Sequence, residues 1–137
     1  MALKTELLET SFAAVCDRET DFTNYFYSTL FTDYPQVEPL FSSTSMDEQG
    51  KKLFASLVLV VQNLTQPEFL TDTLKGLGTR HVKYGVLPKH YPMVGGTLLK
   101  SMAFVLEDRW TDDTEAAWTE AYTAIAEIML AGCEEPQ

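Results

Sequence analysis

The sequence predicts an all-α fold of six or seven helices. Apolar residues recur three or four positions apart in one segment after another. Prolines, capping side chains and acidic residues suited to a helix start separate those segments. No stretch alternates with period two for long, which removes the signature of a half-buried strand. With 137 residues, 45% of them hydrophobic and 12% aromatic, the expectation is one domain over 1–137 with a full core.

Leu3, Leu7, Leu8, Phe12 and Val15 place an amphipathic helix over about residues 3–18. Asp21 is the expected N-cap of a second helix that holds Phe22, Tyr25, Phe26, Tyr27, Leu30 and Phe31. Its aromatic residues fall on nearly every side, as in a deeply buried helix. Pro35 ends it, and Pro39 punctuates a short turn leading to Phe41. After a polar loop, Ser42 to Ser45, the run Ser45-Met46-Asp47-Glu48 reads as a capping box that opens a helix to about Leu64. Val58, Val60 and Val61 favour a strand locally, but the cap and the length select helix. Pro67 suits the first turn of the next helix, through Phe69, Leu70, Leu74 and Leu77 to His81 and Tyr84. Gly85 suits a left-handed cap. Pro88 and Pro92 disfavour helix before them, so Pro92 is expected to start the helix of Val94, Leu98, Leu99, Met102, Val105 and Leu106. Thr111, Asp112 and Asp113 cap the last helix, which carries Trp118, Tyr122, Ile125, Met129 and Leu130.

Ten basic residues against 20 acidic ones give a net charge of −10. That balance argues against nucleic acid and anionic membrane surfaces as partners. The start, Met1 to Glu6, lacks the apolar stretch of a signal peptide. The longest uncharged apolar run, Leu53 to Val61, is about half of a membrane span. A soluble, cytoplasmic protein is expected. Cys16 and Cys133 form no CxxC pair, so a zinc site is not expected and two free thiols are the default.

Both histidines lie in one stretch, Leu77 to Gly95. Leu77, His81 and Tyr84 share one helix face. Such a histidine is either a half-buried core residue bonded to a backbone carbonyl or a metal or heme ligand.

The run His81-Val82-Lys83-Tyr84-Gly85-Val86-x-Pro88-x-His90-Tyr91-Pro92-x-Val94-Gly95, followed by Leu98 and Leu99, resembles the proximal segment of bacterial hemoglobins, the single-domain relatives of the flavohemoglobins. Phe26 to Phe31, Pro35-x-Val37-x-Pro39-Leu40-Phe41, Glu48 to Leu53 and Trp118-x-x-Ala121-Tyr122 extend the resemblance over essentially the whole chain. It implies the globin fold, a heme b cofactor and His81 as the axial ligand of its iron. It places the Tyr27 hydroxyl and the Gln49 amide on the distal side, Phe41 against the heme face and Leu53 in the wall of the ligand pocket. Lys52, Arg80 and Tyr84 become candidates to meet the heme propionates. Leu77, Val86, Tyr91, Val94 and Tyr122 complete the cofactor pocket. His90 has a counterpart in the family that is not the iron ligand.

One departure concerns the proximal side. Where flavohemoglobins pair a tyrosine and a glutamate around the axial histidine, Tyr91 is present but Cys133 stands at the glutamate position, with Glu134 and Glu135 just beyond. No reductase sequence follows, so a single-domain relative is expected. The implied function is reversible, high-affinity binding of O2, NO and CO. Two distal donors favour slow O2 release, which suits conversion of NO to nitrate with electrons from a separate reductase. The alternatives are a gas sensor or oxygen-binding module without turnover, and a globin-fold protein without iron. The oligomeric state stays open.

Overall fold

The computed structural model describes residues 4–41, 45–83, 86 and 88–133. Those residues form six α-helices and two 3-10 helices, with no strand among them. The α-helices are α1 (Thr5–Cys16), α2 (Glu19–Asp33), α3 (Met46–Gln62), α4 (Pro67–Lys83), α5 (His90–Leu106) and α6 (Asp112–Cys133). One 3-10 helix, Pro35–Phe41, links α2 to α3, and the other, Glu107–Arg109, links α5 to α6.

Two helix pairs dominate the packing: α4 against α6, and α2 against α5. Helix α1 lies on α6, α5 and α3, and α3 lies on α2 and α1. Helices α3 and α4 have at most marginal contact with each other. The core is correspondingly divided. A larger cluster gathers Phe12, Phe22, Phe26, Tyr27, Phe54, Met102 and Trp118 from α1, α2, α3, α5 and α6. A smaller one gathers Val60, Leu70, Leu74, Tyr91 and Met129 at the far end of α3, on α4, at the start of α5 and late in α6. Each fully buried large side chain contributes about 1.5–3 kcal/mol. In the larger cluster the Trp118 Nε1–H donates to the Ser11 Oγ at 2.8 Å, and that hydroxyl donates to the Leu7 carbonyl at 2.8 Å. The only indole deep in the core is therefore satisfied.

Several boundaries differ from expectation. Helix α1 runs over Thr5–Cys16, ending two residues before the expected 18; Leu3 lies outside the described residues. Helix α2 starts at Glu19, with Arg18 as the flanking residue, so Asp21 lies inside the first turn. There its carboxylate accepts from the Arg18 guanidinium at 3.0 Å, a partner that competes with the capping role. Pro39 does not break a turn; it sits inside the 3-10 helix, where its ring φ is compatible. Helix α3 starts where the capping box predicted, but Ser45 makes no side-chain cap bond, and the helix ends at Gln62 and not Leu64. Helix α5 starts at His90, two residues before Pro92. The first turn has no intrahelical acceptor for its N–H groups, so Pro92 is tolerated there. Thr111 does cap α6: its Oγ1 accepts the Thr114 backbone N–H at 3.2 Å. Tyr84, Gly85, Ser42 to Thr44 and Glu134 to Gln137 lie outside the described residues.

Candidate functional site

On one side of the divided core stands Tyr27, buried within α2. Its ring is caged by aromatic neighbours: Phe26 edge-on at 4.8 Å, Phe41 edge-on at 5.7 Å and Phe31 tilted at 6.0 Å between centroids. Its hydroxyl points at the start of α3, 3.5 Å from the Gln49 backbone carbonyl. That distance is long for an O–H donor, so the hydroxyl is only loosely held. Burial pushes the Tyr27 pKa up to about 12, while the Gln49 side chain acts in the opposite sense. The hydroxyl is therefore a neutral donor at physiological pH. Gly50 lets the two helices come this close, because a Cβ there would stand 3.3 Å from the Thr23 Cβ of α2. Leu53, one turn beyond Gln49, and Phe41 are half-buried against the same cluster, as are Val94 and Tyr122. A groove of about 500 Å³, lined by Phe31, Pro35, Glu38, Pro39, Phe41 and Met46, opens beside them.

On the other side stands His81, half-buried near the end of α4. Its Nδ1 lies 2.7 Å from the Leu77 carbonyl one turn back. A carbonyl can only accept, so Nδ1 carries the proton and Nε2 carries the lone pair. Burial lowers the His81 pKa, the Leu77 bond opposes that shift, and the Arg80 charge adds to the lowering. The imidazole is thus neutral near pH 7, the form that binds a metal. Leu77 and Val86 are half-buried against the smaller cluster, and Tyr91 is buried within it. The Tyr122 hydroxyl donates to the Tyr91 carbonyl at 2.7 Å, joining α6 to the start of α5. Burial raises the Tyr122 pKa, so that bond persists at all physiological pH values. His90 is buried as the first residue of α5. Lys52 and Arg80 are exposed.

The position of α4 is set from behind, and the sequence reading missed how. Thr79 Oγ1 donates within hydrogen-bond distance of two carbonyls, Gly132 of α6 at 3.0 Å and its own Lys75 at 3.1 Å. Two glycines let the backbones meet: a Cβ at Gly78 would overlap the Met129 carbonyl, and one at Gly132 would overlap the Lys75 carbonyl. The available signal was a set of small residues, Gly76, Gly78 and Thr79 on α4 with Ala131 and Gly132 on α6.

These features match what a heme requires. An apolar macrocycle with a central metal needs apolar walls, a neutral imidazole on one face and hydrogen-bond donors on the other. Phe41, Leu53 and Val94 supply apolar surface in one cluster, Leu77 and Val86 in the other. The His81 tautomer puts the ring lone pair on Nε2, with Nδ1–H on a backbone carbonyl, an arrangement also found in metal-binding histidines.

Comparison with known proteins decides the family. A family model described as Globin matches residues 24–129. The chain belongs to the globin family. This globin is 36% identical over 112 residues to a flavohemoprotein of Rhizobium meliloti, covering 80% of this chain and 28% of that protein. It thus spans less than a third of the length of that curated relative. Among solved structures, a bacterial globin of Campylobacter jejuni superposes with a TM-score of 0.80 at 28% identity, covering 95% of this globin and 94% of the other. An engineered carbene transferase from Rhodothermus marinus, derived from a candidate nitric oxide dioxygenase, superposes with a TM-score of 0.83 at 25% identity, covering 94% and 89%. Membership in this family implies heme binding and diatomic gases as ligands. No helix among the described residues is long and apolar enough to cross a membrane.

Proposed function

We propose that the chain is a single globin domain over 1–137 that holds heme b through His81 Nε2. It binds O2, NO and CO on the face served by Tyr27 and Gln49, and works in the cytoplasm with a separate reductase. The observation that carries this is the joint placement of the two halves. The Tyr27 hydroxyl of the larger cluster approaches the Gln49 carbonyl at the start of α3, while His81 is held in its Nε2-ligating tautomer one turn beyond Leu77, which packs on the smaller cluster. The heme supplies the iron on which a diatomic gas binds reversibly. The protein supplies the selectivity. A neutral Tyr27 hydroxyl donates a hydrogen bond that strengthens with negative charge on the ligand, so O2 gains more than CO. The loose contact with the Gln49 carbonyl is easily exchanged for that bond.

Tight O2 retention suits nitric oxide dioxygenation, in which NO and O2 combine into nitrate with uptake of one electron from the reductase. Relatives of the chain include flavohemoproteins and a Rhodothermus protein named as a candidate for that reaction, which supports the reading. Tyr27→Phe deletes one donor and keeps the ring. The O2 off-rate should rise by about tenfold or more, from loss of one charge-assisted bond of about 1.5–3 kcal/mol, while the CO off-rate moves much less. Stopped-flow ligand displacement measures both. Equal shifts for O2 and CO, or none, would remove Tyr27 from the ligand site and the dioxygenase reading with it.

A further inference from the structure

A close approach between α2 and α3 lies beside Tyr27 and Gln49. A Cβ on Gly50 would stand 3.3 Å from the Thr23 Cβ, 3.4 Å from its Oγ1 and 3.8 Å from its Cγ2. Gly50 follows Gln49 directly in α3. Thr23 lies four residues before Tyr27 in α2, so the two share a face one turn apart. The same pair of helices brings the Tyr27 hydroxyl to 3.5 Å from the Gln49 carbonyl. That is the outer limit of a hydrogen bond, so a few tenths of an ångström in helix spacing decide whether the bond exists.

Thr23 is poorly able to yield. It is buried, and its hydroxyl is turned back on its own helix, 3.2 Å from the Glu19 carbonyl and 3.3 Å from the Thr20 carbonyl. Those bonds fix the rotamer of a side chain already stiff at its branched carbon. Helix α2 is also held by α5 in one of the two dominant helix pairings. Bulk added at Gly50 is therefore absorbed by α3, which moves away from α2.

We infer that the Thr23–Gly50 contact is the spacer that sets the preference for O2 over CO, by fixing how firmly the Gln49 carbonyl holds the Tyr27 hydroxyl when no gas is bound. The inference rests on Tyr27 as the donor to the ligand. Neither Thr23 nor Gly50 touches the gas; both are positioning residues that act through Tyr27. In the gas-free pocket the carbonyl is the resting acceptor of the hydroxyl. O2 draws the hydroxyl off that carbonyl more strongly than CO does, because the donor favours the ligand with more negative charge. At the native spacing the resting bond is long, so giving it up costs little. A wider crossing removes the resting acceptor and leaves a buried donor whose best partner is the gas. A narrower one tightens the resting bond and makes it a stronger competitor.

Two measurements on the heme-loaded chain test this: competition of O2 against CO at equilibrium, and the infrared stretching band of bound CO. Gly50→Ala should raise the affinity for O2 relative to CO by about threefold or more, the scale of one ordinary hydrogen bond. The C–O band should move to lower frequency as the released hydroxyl turns to the bound gas. Adding Thr23→Gly removes the three Thr23 atoms that the new methyl group meets, so both values should return toward the parent. Thr23→Gly alone lets α3 settle closer and should lower the O2 preference; this arm decides the matter if Gly50→Ala does not fold. In a Tyr27→Phe background Gly50→Ala should change neither value, since the hydroxyl that carries the effect is gone. A merely structural contact would shift O2 and CO together, with or without the hydroxyl. An O2 preference that stays level or falls in Gly50→Ala, or an effect that survives in the Tyr27→Phe background, overturns the spacer. If Tyr27→Phe alone leaves the preference unaltered, Tyr27 is not the donor, and the functional reading fails together with this inference.

Discussion

His81 is poised by two opposing influences, and both can be read in solution. Its Nδ1–H bond to Leu77 selects the tautomer, and burial holds the ring neutral. His81→Ala should lose stable heme, while His90→Ala should keep it, as judged by the Soret band after gel filtration. Retention by the first and loss by the second would make His90 the ligand. The pH dependence has a definite sign. The folded pKa of His81 lies below the ordinary 6.5, so the unfolded chain binds the extra proton first as pH falls. The contribution to stability is complete above about pH 6.5 and is lost progressively below it. In the heme-free protein, His81→Gln should flatten the fall in melting temperature between roughly pH 7 and 5; an unchanged slope would place the acid sensitivity elsewhere. The tautomer was not legible in the sequence. A histidine on a helix face is compatible with a carbonyl-bonded core residue and with a ligand; the structure shows the carbonyl bond, which fits either role. The approach of the Tyr27 hydroxyl to the Gln49 carbonyl was not legible from the residues alone, since an aromatic helix contains no local signal that one hydroxyl among several meets the next helix.

Helix α4 illustrates how an element can be correctly expected and its placement still missed. Pro67 and the apolar spacing announced the helix, and it runs from Pro67 to Lys83. Its seat on α6 depends on partners more than 50 residues away in sequence, Thr79 with Gly132 among them. Nothing in the α4 sequence says which glycine meets a backbone and which meets solvent. Gly132→Ala forces a methyl group onto the Lys75 carbonyl and should cost about 1–3 kcal/mol, the range for overpacking a tight contact. Thr79→Val keeps the volume and removes the hydroxyl, for about 1 kcal/mol, with Thr79→Ser restoring it. Both costs are measured by denaturant unfolding of the heme-free chain. Because His81 lies two residues from Thr79, the iron–histidine stretching band should also shift in the valine variant and return in the serine variant. A stability loss with an unmoved band would confine Thr79 to structure. The starts of α2 and α5 differ from expectation for separate reasons: Asp21 pairs with Arg18 inside the first turn of α2, and the free N–H groups of the first turn let α5 begin before Pro92.

For the whole molecule the divided core is the governing fact. The all-α class was legible because the helices are punctuated by proline and carry apolar stripes. The division was not, since it arises from which helices meet, and α3 and α4 are neighbours in sequence that scarcely touch. A heme seated between the two clusters would join them, so its binding free energy becomes folding free energy for the α4 side, about 4 kcal/mol at a free concentration a thousandfold above Kd. Hydrogen exchange compared with and without heme should show protection rising most in α4 and the end of α3, and little in α1, α2 and α5. A uniform rise would mean that the clusters already unfold as one unit.

Trp118, fixed in the larger cluster by its bond to Ser11, gives the protein an optical property. An indole that cannot rotate keeps a constant orientation and distance to anything lodged between the clusters. Heme absorbs where indole emits, so energy passes from the excited ring to the cofactor without radiation. The ultraviolet glow of the empty chain dims in proportion to loading, and occupancy can be followed in real time with no dye attached.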